Sequence, residues 1–132
     1  MAPTASAIIF KVLEGKFLVG KLPPTAEIPA QALTGEFSSV SRTAEELSIV
    51  APDDAKIPDV EFERGWKCIK VQGPLEFALK GVLSSLLQPL ADAGVSVFAV
   101  STYDTDYILV KQHQLTQALV ALEQAGHRLT QS

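Results

Sequence analysis

The sequence predicts an α+β fold in which a full β-α-β-β-α-β unit follows a shortened copy of itself. Three observations predict it. In the second half, short runs of β-forming residues alternate with two stretches of helical apolar spacing. Turn and stop residues fall between those runs where the elements must end. In the first half, one pair of strand-like runs falls on a second-half pair when the chain is shifted by 60 positions.

The elements of the second half follow in order. Trp66 to Val71 is rich in β-formers, is closed by Gly73-Pro74, and reads as a strand. Pro74 suits a first helical turn, where its missing N–H costs nothing. The spacing of Leu83, Leu86, Leu87 and Leu90 predicts a helix over Leu75–Ala93, which Pro89 should kink or split near Leu87 and Gly94 should stop. Val95 to Ser101 and Tyr107 to Val110 read as a hairpin around the polar turn Tyr103-Asp104-Thr105-Asp106. Leu115, Ala118, Leu119 and Leu122 share one face of a helix over Gln114–Ala125, ended by Gly126. His127 to Thr130 supplies a last strand. This order is the ferredoxin-like pattern.

The first half repeats it more weakly. Ala7–Leu13 and Lys16–Leu22 read as strands joined in a hairpin at Glu14-Gly15, Ile28–Leu33 as one or two helical turns, and Phe37–Thr43 with Leu47–Ala51 as a second hairpin. The shift of 60 brings Val40-Ser41 onto Val100-Ser101, Ile49 onto Leu109, Val50 onto Val110 and Pro29 onto Pro89. Pro52 to Glu63, with two prolines and five acids, reads as a linker. The expectation is a tandem ferredoxin-like βαββαβ sandwich: an N-terminal half over 1–58 that has lost its long helix, and a complete domain over 59–132.

Composition removes several classes of function. With 132 residues, 47% of them hydrophobic, and a mean hydropathy of +0.21, the chain has the apolar content to build a core. A net charge of −4 without a basic cluster argues against nucleic-acid binding, which depends on neutralising phosphates. No apolar run approaches the ~20 residues that cross a bilayer, and Met1–Ile9 has no early basic residue of a secretory signal. A cytoplasmic location is expected. One cysteine, Cys68, excludes an internal disulfide, and two distant histidines make no structural zinc site.

Fold geometry then selects where a ligand would sit. The end of the Trp66–Val71 strand, the start of the first helix and the turn Thr102–Asp106 meet at one edge of a βαββαβ sandwich. Helix N–H groups favour a carboxylate, Asp104 and Asp106 favour an ammonium, and Ser101, Thr102 and Gly81 let a ligand approach the backbone. A zwitterion such as an amino acid suits this combination; the same two acids also suit a plain turn. The two acids supply too few oxygens for a hard cation. Cys68, mid-strand, reads as a small buried hydrophobe, and His113 and His127 as surface or capping residues without a nucleophile beside them. No phosphate-cradling glycine loop and no catalytic set is present.

The stretch Gly81-Val82-Leu83, together with Gly94 through Val110, resembles ACT domains, small regulatory folds that bind amino acids. Ser101-Thr102-Tyr103-x-x-Asp106, and Ser41-Arg42-Thr43-x-x-Glu46-Leu47-Ser48-Ile49-Val50 in the first half, are similar to the paired-ACT subfamily that includes the CASTOR arginine sensors. The resemblance implies a ligand site at Gly81, Val82, Thr102, Tyr103, Thr105 and Asp106, with Asp106 facing the ligand's amine, and no cofactor or metal. It does not carry arginine over: Tyr103 and Thr105 stand where those sensors have aromatics. The reading is an amino-acid-binding regulatory protein without catalysis, working as a homodimer because a site between two domains here needs a second chain. The rival reading is an assembly module with the same fold and no small-molecule ligand.

Overall fold

The computed structural model describes residues 7–58, 60–72 and 81–130. In chain order these form β1 (Ile9–Val12), β2 (Phe17–Leu22), a 3-10 turn (Ala30–Ala32), β3 (Ser39–Arg42), β4 (Leu47–Pro52), β5 (Glu61–Val71), α1 (Val82–Asp92), β6 (Val97–Ser101), β7 (Asp106–Lys111), a second 3-10 turn (Gln112–Gln114), α2 (Leu115–Gln124) and β8 (Arg128–Leu129). They group into two compact units, Glu14–Lys67 and Met1–Leu13 with Cys68–Ser132. The first strand is thereby grouped with the C-terminal elements.

Within Glu14–Lys67, β4 lies antiparallel between β3 and β2, and β2 pairs antiparallel with the first part of β5. The register sets Leu22 opposite Leu47, Gly20 opposite Ile49 and Leu18 opposite Ala51. Side chains two residues apart share a sheet face, so one face is apolar, and it closes over Ala32 and Ile57 as a buried core. Gly20 is needed there: a Cβ would stand 2.8 Å from Val60 Cγ2 and 3.0 Å from the Glu61 carbonyl oxygen. β5 carries a bulge opposite Leu18, where the register with β2 shifts between Phe17 and Val19. Gly65 supplies the left-handed backbone, φ +81°, that such a bulge needs. The Asp53 carboxylate fixes it by accepting from Gly65 N–H at 3.2 Å and from the Arg64 guanidinium at 2.7 Å.

In the other unit, β7 pairs with β6 and β5, and β1 lies between β5 and β8. β1 is antiparallel to β5, Phe10 opposite Val71 and Val12 opposite Ile69, and parallel to β8. The helices bury Val82, Leu86 and Leu90 of α1 and Ala118 and Leu122 of α2 against Phe10, Ile69, Val71, Ile108 and Val110. The four-residue spacing is that of one helical stripe. Both helices stop in the same way. Gly94 and Gly126 turn left-handed, and the next residue donates back to the helix, Val95 N–H to Leu90 C=O and His127 N–H to Leu122 C=O, each at 3.0 Å. Gln114 straps the loop after α1, accepting from Ser96 N–H at 3.2 Å and donating to Gly94 C=O at 3.3 Å.

The ferredoxin-like α+β order is present in β5-α1-β6-β7-α2-β8. Four expectations differ. β1 and β2 are not a hairpin: each pairs with a different part of β5. The segment read as a linker already contains the start of β5, because an exposed strand edge tolerates Glu61 and Glu63 as readily as a loop does. Pro89 does not divide the helix: α1 is one element through it. His127 is not at the surface but buried, while its backbone N–H takes part in the cap of α2. The helical turns expected before Gly81, with Pro74, lie outside the described residues. The repeat also has a different offset. Thr43 and Glu46 stand in the β3–β4 turn as Thr102 and Thr105 stand in the β6–β7 turn, so the hairpins coincide at a shift of 59, not 60.

We propose that the halves 1–58 and 59–132 fold interdependently, because the first half carries β1 and β1 completes the sheet of the second. A chain beginning at Asp59 loses Phe10, which is fully buried, and strands the β5 edge that β1 pairs with. Removing a buried phenylalanine alone costs about 3–5 kcal/mol. Urea denaturation followed by circular dichroism should show that chain without a cooperative transition; a melting curve matching that of the full chain would refute the interdependence.

Candidate functional site

The β6–β7 turn is built by two threonines. Thr102 N–H donates to Thr105 C=O at 2.8 Å, and Thr102 Oγ1 donates to the same carbonyl at 3.0 Å. The Thr105 N–H returns to Thr102 Oγ1 at 3.3 Å. A threonine hydroxyl that replaces backbone partners in this way closes a turn without glycine. The β3–β4 turn uses the same device: Thr43 N–H donates to Glu46 C=O at 2.9 Å, and Thr43 Oγ1 takes the N–H groups of Glu45 and Glu46, each at 3.1 Å. The two turns differ in what flanks them. Ser101 and Asp106 flank one, Arg42 and Leu47 the other.

That difference puts a carboxylate in the flanking pair of one turn alone. Ser101 Oγ donates to Asp106 Oδ1 at 2.5 Å. The pair is closely opposed across the strands, and a carboxylate with about four acceptor positions keeps capacity for a further donor. Arg42, at the place of Ser101, instead sends its guanidinium to the carbonyls of Pro24 and, at 2.8 Å, Ala26.

The six residues expected to form a site divide by role. Thr102, Thr105 and Asp106 come together at the turn. Thr105 is buried, and its hydroxyl donates to Val71 C=O at 2.8 Å. This bond fastens the turn to the end of β5, as the edge argument required, and it spends the hydroxyl on the backbone. Tyr103 is 80% exposed at the tip. Val82 is a core residue of α1 facing Leu86 and Leu90, so its side chain does not face solvent. Gly81 precedes α1 with φ +77° and open space where a Cβ would stand, and its carbonyl accepts from Ser85 N–H at 2.8 Å. Sequence reasoning took Ser101 as a small residue for close approach and missed it as the donor that orients Asp106; a hydroxyl directly before a four-residue turn closed by an acid is the signal.

Two cavities formed by described residues lie in the Glu14–Lys67 unit, away from this turn. One, of about 400 Å³, is lined by Glu14, Lys16, Phe17, Glu36, Pro52 and Asp54 among others. The other, of about 420 Å³, is lined by Leu22, Pro23, Ala26, Glu27, Pro29 and Gln31 with Pro58.

A βαββαβ sheet carrying helices on one face, with a polar turn pinned beside the end of its first strand, is the architecture of an ACT domain, and the chain contains one. The family profile matches residues 61–124, and a profile of an N-terminal domain matches residues 15–59. The chain is 30% identical over 98 residues to the Bos taurus protein named "Cytosolic arginine sensor for mTORC1 subunit 1", a match covering 66% of this chain and 30% of that protein. The match thus spans less than a third of the length of that protein. Among solved structures, an Agobacterium tumefaciens protein superimposes with a TM-score of 0.89 at 40% identity, over 96% of this chain and 94% of that one. An aspartate kinase from Clostridium acetobutylicum shares the fold alone, at a TM-score of 0.65 and 12% identity over 94% of this chain and 36% of the kinase. Among the described residues, no helix is long and apolar enough to cross a membrane.

The Thr105 hydroxyl has a structural duty that a ligand contact would not share. Thr105→Val keeps the volume and removes the hydroxyl's bond to Val71 C=O, which should lower stability by about 1 kcal/mol. Thr105→Ser should retain most of it. Equal chemical-denaturation midpoints for wild type and Thr105→Val would show that the bond contributes nothing.

Proposed function

We propose that the chain is a non-catalytic, amino-acid-binding regulatory protein of the ACT type, with its site at the β6–β7 turn and Gly81 before α1. The observation that carries this reading is the half-buried Asp106 carboxylate, oriented by Ser101 and set beside the strand end to which Thr105 is tied. An oriented carboxylate next to exposed backbone is suited to an ammonium group. Thr102, Tyr103 and Gly81 border that approach, while Val82 and Thr105 support it from inside. The names of the curated relatives agree with an amino-acid ligand and a cytosolic setting; arginine itself is not part of the proposal.

The ligand class is tested by thermal melts against the twenty amino acids. Ligand at 100 times its dissociation constant should add about 2.7 kcal/mol to the folded state, a rise of several degrees in Tm. Asp106→Asn keeps the outline and removes the charge, so titration calorimetry with the amino acid found should show binding weakened by about 1.5–3 kcal/mol. Unchanged affinity would remove Asp106 from the site, and an empty screen would favour the assembly module.

We further propose a homodimer with the ligand between two copies. β6 pairs with β7 alone among the described strands, and Val97 on it is exposed, so this edge of the sheet calls for cover. Symmetric pairing is the commonest solution for a small chain. Sedimentation across a dilution series should give a dimer that ligand tightens, because linkage is reciprocal. A monomer at high micromolar concentration with and without ligand would sink the shared site.

A further inference from the structure

His127 is the one histidine in the apolar interior of its unit, 6% exposed, and it follows α2 directly. Both of its ring nitrogens are engaged. Nδ1 faces the backbone N–H of Ile8 at 3.1 Å, and Nε2 faces the carbonyl of Ser85 at 3.0 Å. An N–H can only donate, so Nδ1 must be the unprotonated, accepting nitrogen. A carbonyl can only accept, so Nε2 must carry the proton. Proline explains why the Ser85 carbonyl is there to be used. Four residues after Ser85, where a helix would supply the N–H for that carbonyl, stands Pro89, which has none. His127 fills that vacancy from outside the helix.

We infer that His127 is a charge-sensitive latch: as the neutral Nε2–H imidazole it joins the start of β1 to the proline-broken turn of α1, and as an imidazolium it releases Ile8. In the cation both nitrogens are donors, so Nδ1–H would oppose Ile8 N–H and leave a buried donor unpaired. The charged groups on the surrounding elements are Lys11 on β1, Asp92 on α1, Glu123 on α2 and Arg128 on β8. Asp92, Glu123 and Arg128 are exposed, and Asp92 accepts from Gln88 at 2.9 Å. The direction follows from the geometry. Acid opens the latch, because the proton it adds at Nδ1 turns the acceptor that faces Ile8 N–H into a donor. What opens is local: the strand seated between β5 and β8 loses its first fastening.

The test uses the full chain in solution. Long-range ¹H–¹⁵N spectra of the imidazole at pH 7.5 should show the Nε2–H tautomer; the Nδ1–H tautomer would overturn the assignment. Hydrogen exchange, corrected for the intrinsic effect of pH, should show the Ile8 amide losing about tenfold in protection between pH 7.5 and an acid pH at which those spectra show the imidazolium. The Val110 amide, in the ladder with β6, should change little. Unchanged protection at Ile8, or an equal loss at Val110, would overturn the latch. His127→Gln supplies a non-titrating carboxamide that can both accept and donate, and its Ile8 protection should be the same at the two pH values. A pH-dependent loss persisting in that variant would place the effect elsewhere.

Discussion

An eleven-residue strand must find hydrogen-bond partners along its whole length, and β5 does so with different strands for its two parts. Its first part is matched by β2 and its last by β1. The bulge at Gly65 shifts the register within the β2 pairing, between Phe17 and Val19. The rest of the chain is arranged around this constraint. Asp53 is committed to Arg64 and Gly65 because the bulge needs a fixed acceptor. Thr105 reaches Val71 because β5 ends where the second hairpin turns.

The two hairpins show how a repeated framework acquires different chemistry. Thr43 and Thr102 close their turns by the same backbone bonds, so the conformation is a property of the threonine and does not depend on the neighbours. The flanking pair is then open to change. Arg42 with Leu47 turns one hairpin toward its own loop carbonyls and an apolar core. Ser101 with Asp106 gives the other a polar, oriented acid. One substituted pair therefore separates a structural hairpin from a candidate recognition hairpin.

Much of this was legible in the sequence where the controlling interaction is local. The β6–β7 hairpin, α2 and the glycines that end both helices are set by neighbours within about five residues, and their spacing predicts them. The placement of β1 was not legible, because its partners at Ile69–Val71 and Arg128–Leu129 lie far along the chain and no local pattern distinguishes them from β2. The start of β5 was hidden by its own exposure, since Glu61 and Glu63 look like loop residues. The candidate site was legible as a region but not in its division of labour. Val82 and Thr105 belong to the right elements, yet one side chain is turned into the core and the other is spent on a carbonyl. His127 could have been suspected from Pro89, which guarantees an open carbonyl at Ser85, but the link between them is visible only in three dimensions.

The seat of β1 also bears on how the chain comes to be folded. On a ribosome, Ile9–Val12 emerges well before the partner that fastens its start: the contact of Ile8 with His127 spans 119 positions. Non-local closure of this kind is slow compared with hairpin formation. During that interval the strand is an apolar segment without a place, and the gap between β5 and β8 is an acceptor without a strand. Two nascent chains in proximity could satisfy each other's gaps by exchanging this segment. The charged Lys11 in the middle of the strand is then a safeguard as much as a ladder residue, keeping the waiting segment soluble until its own sheet is ready to receive it.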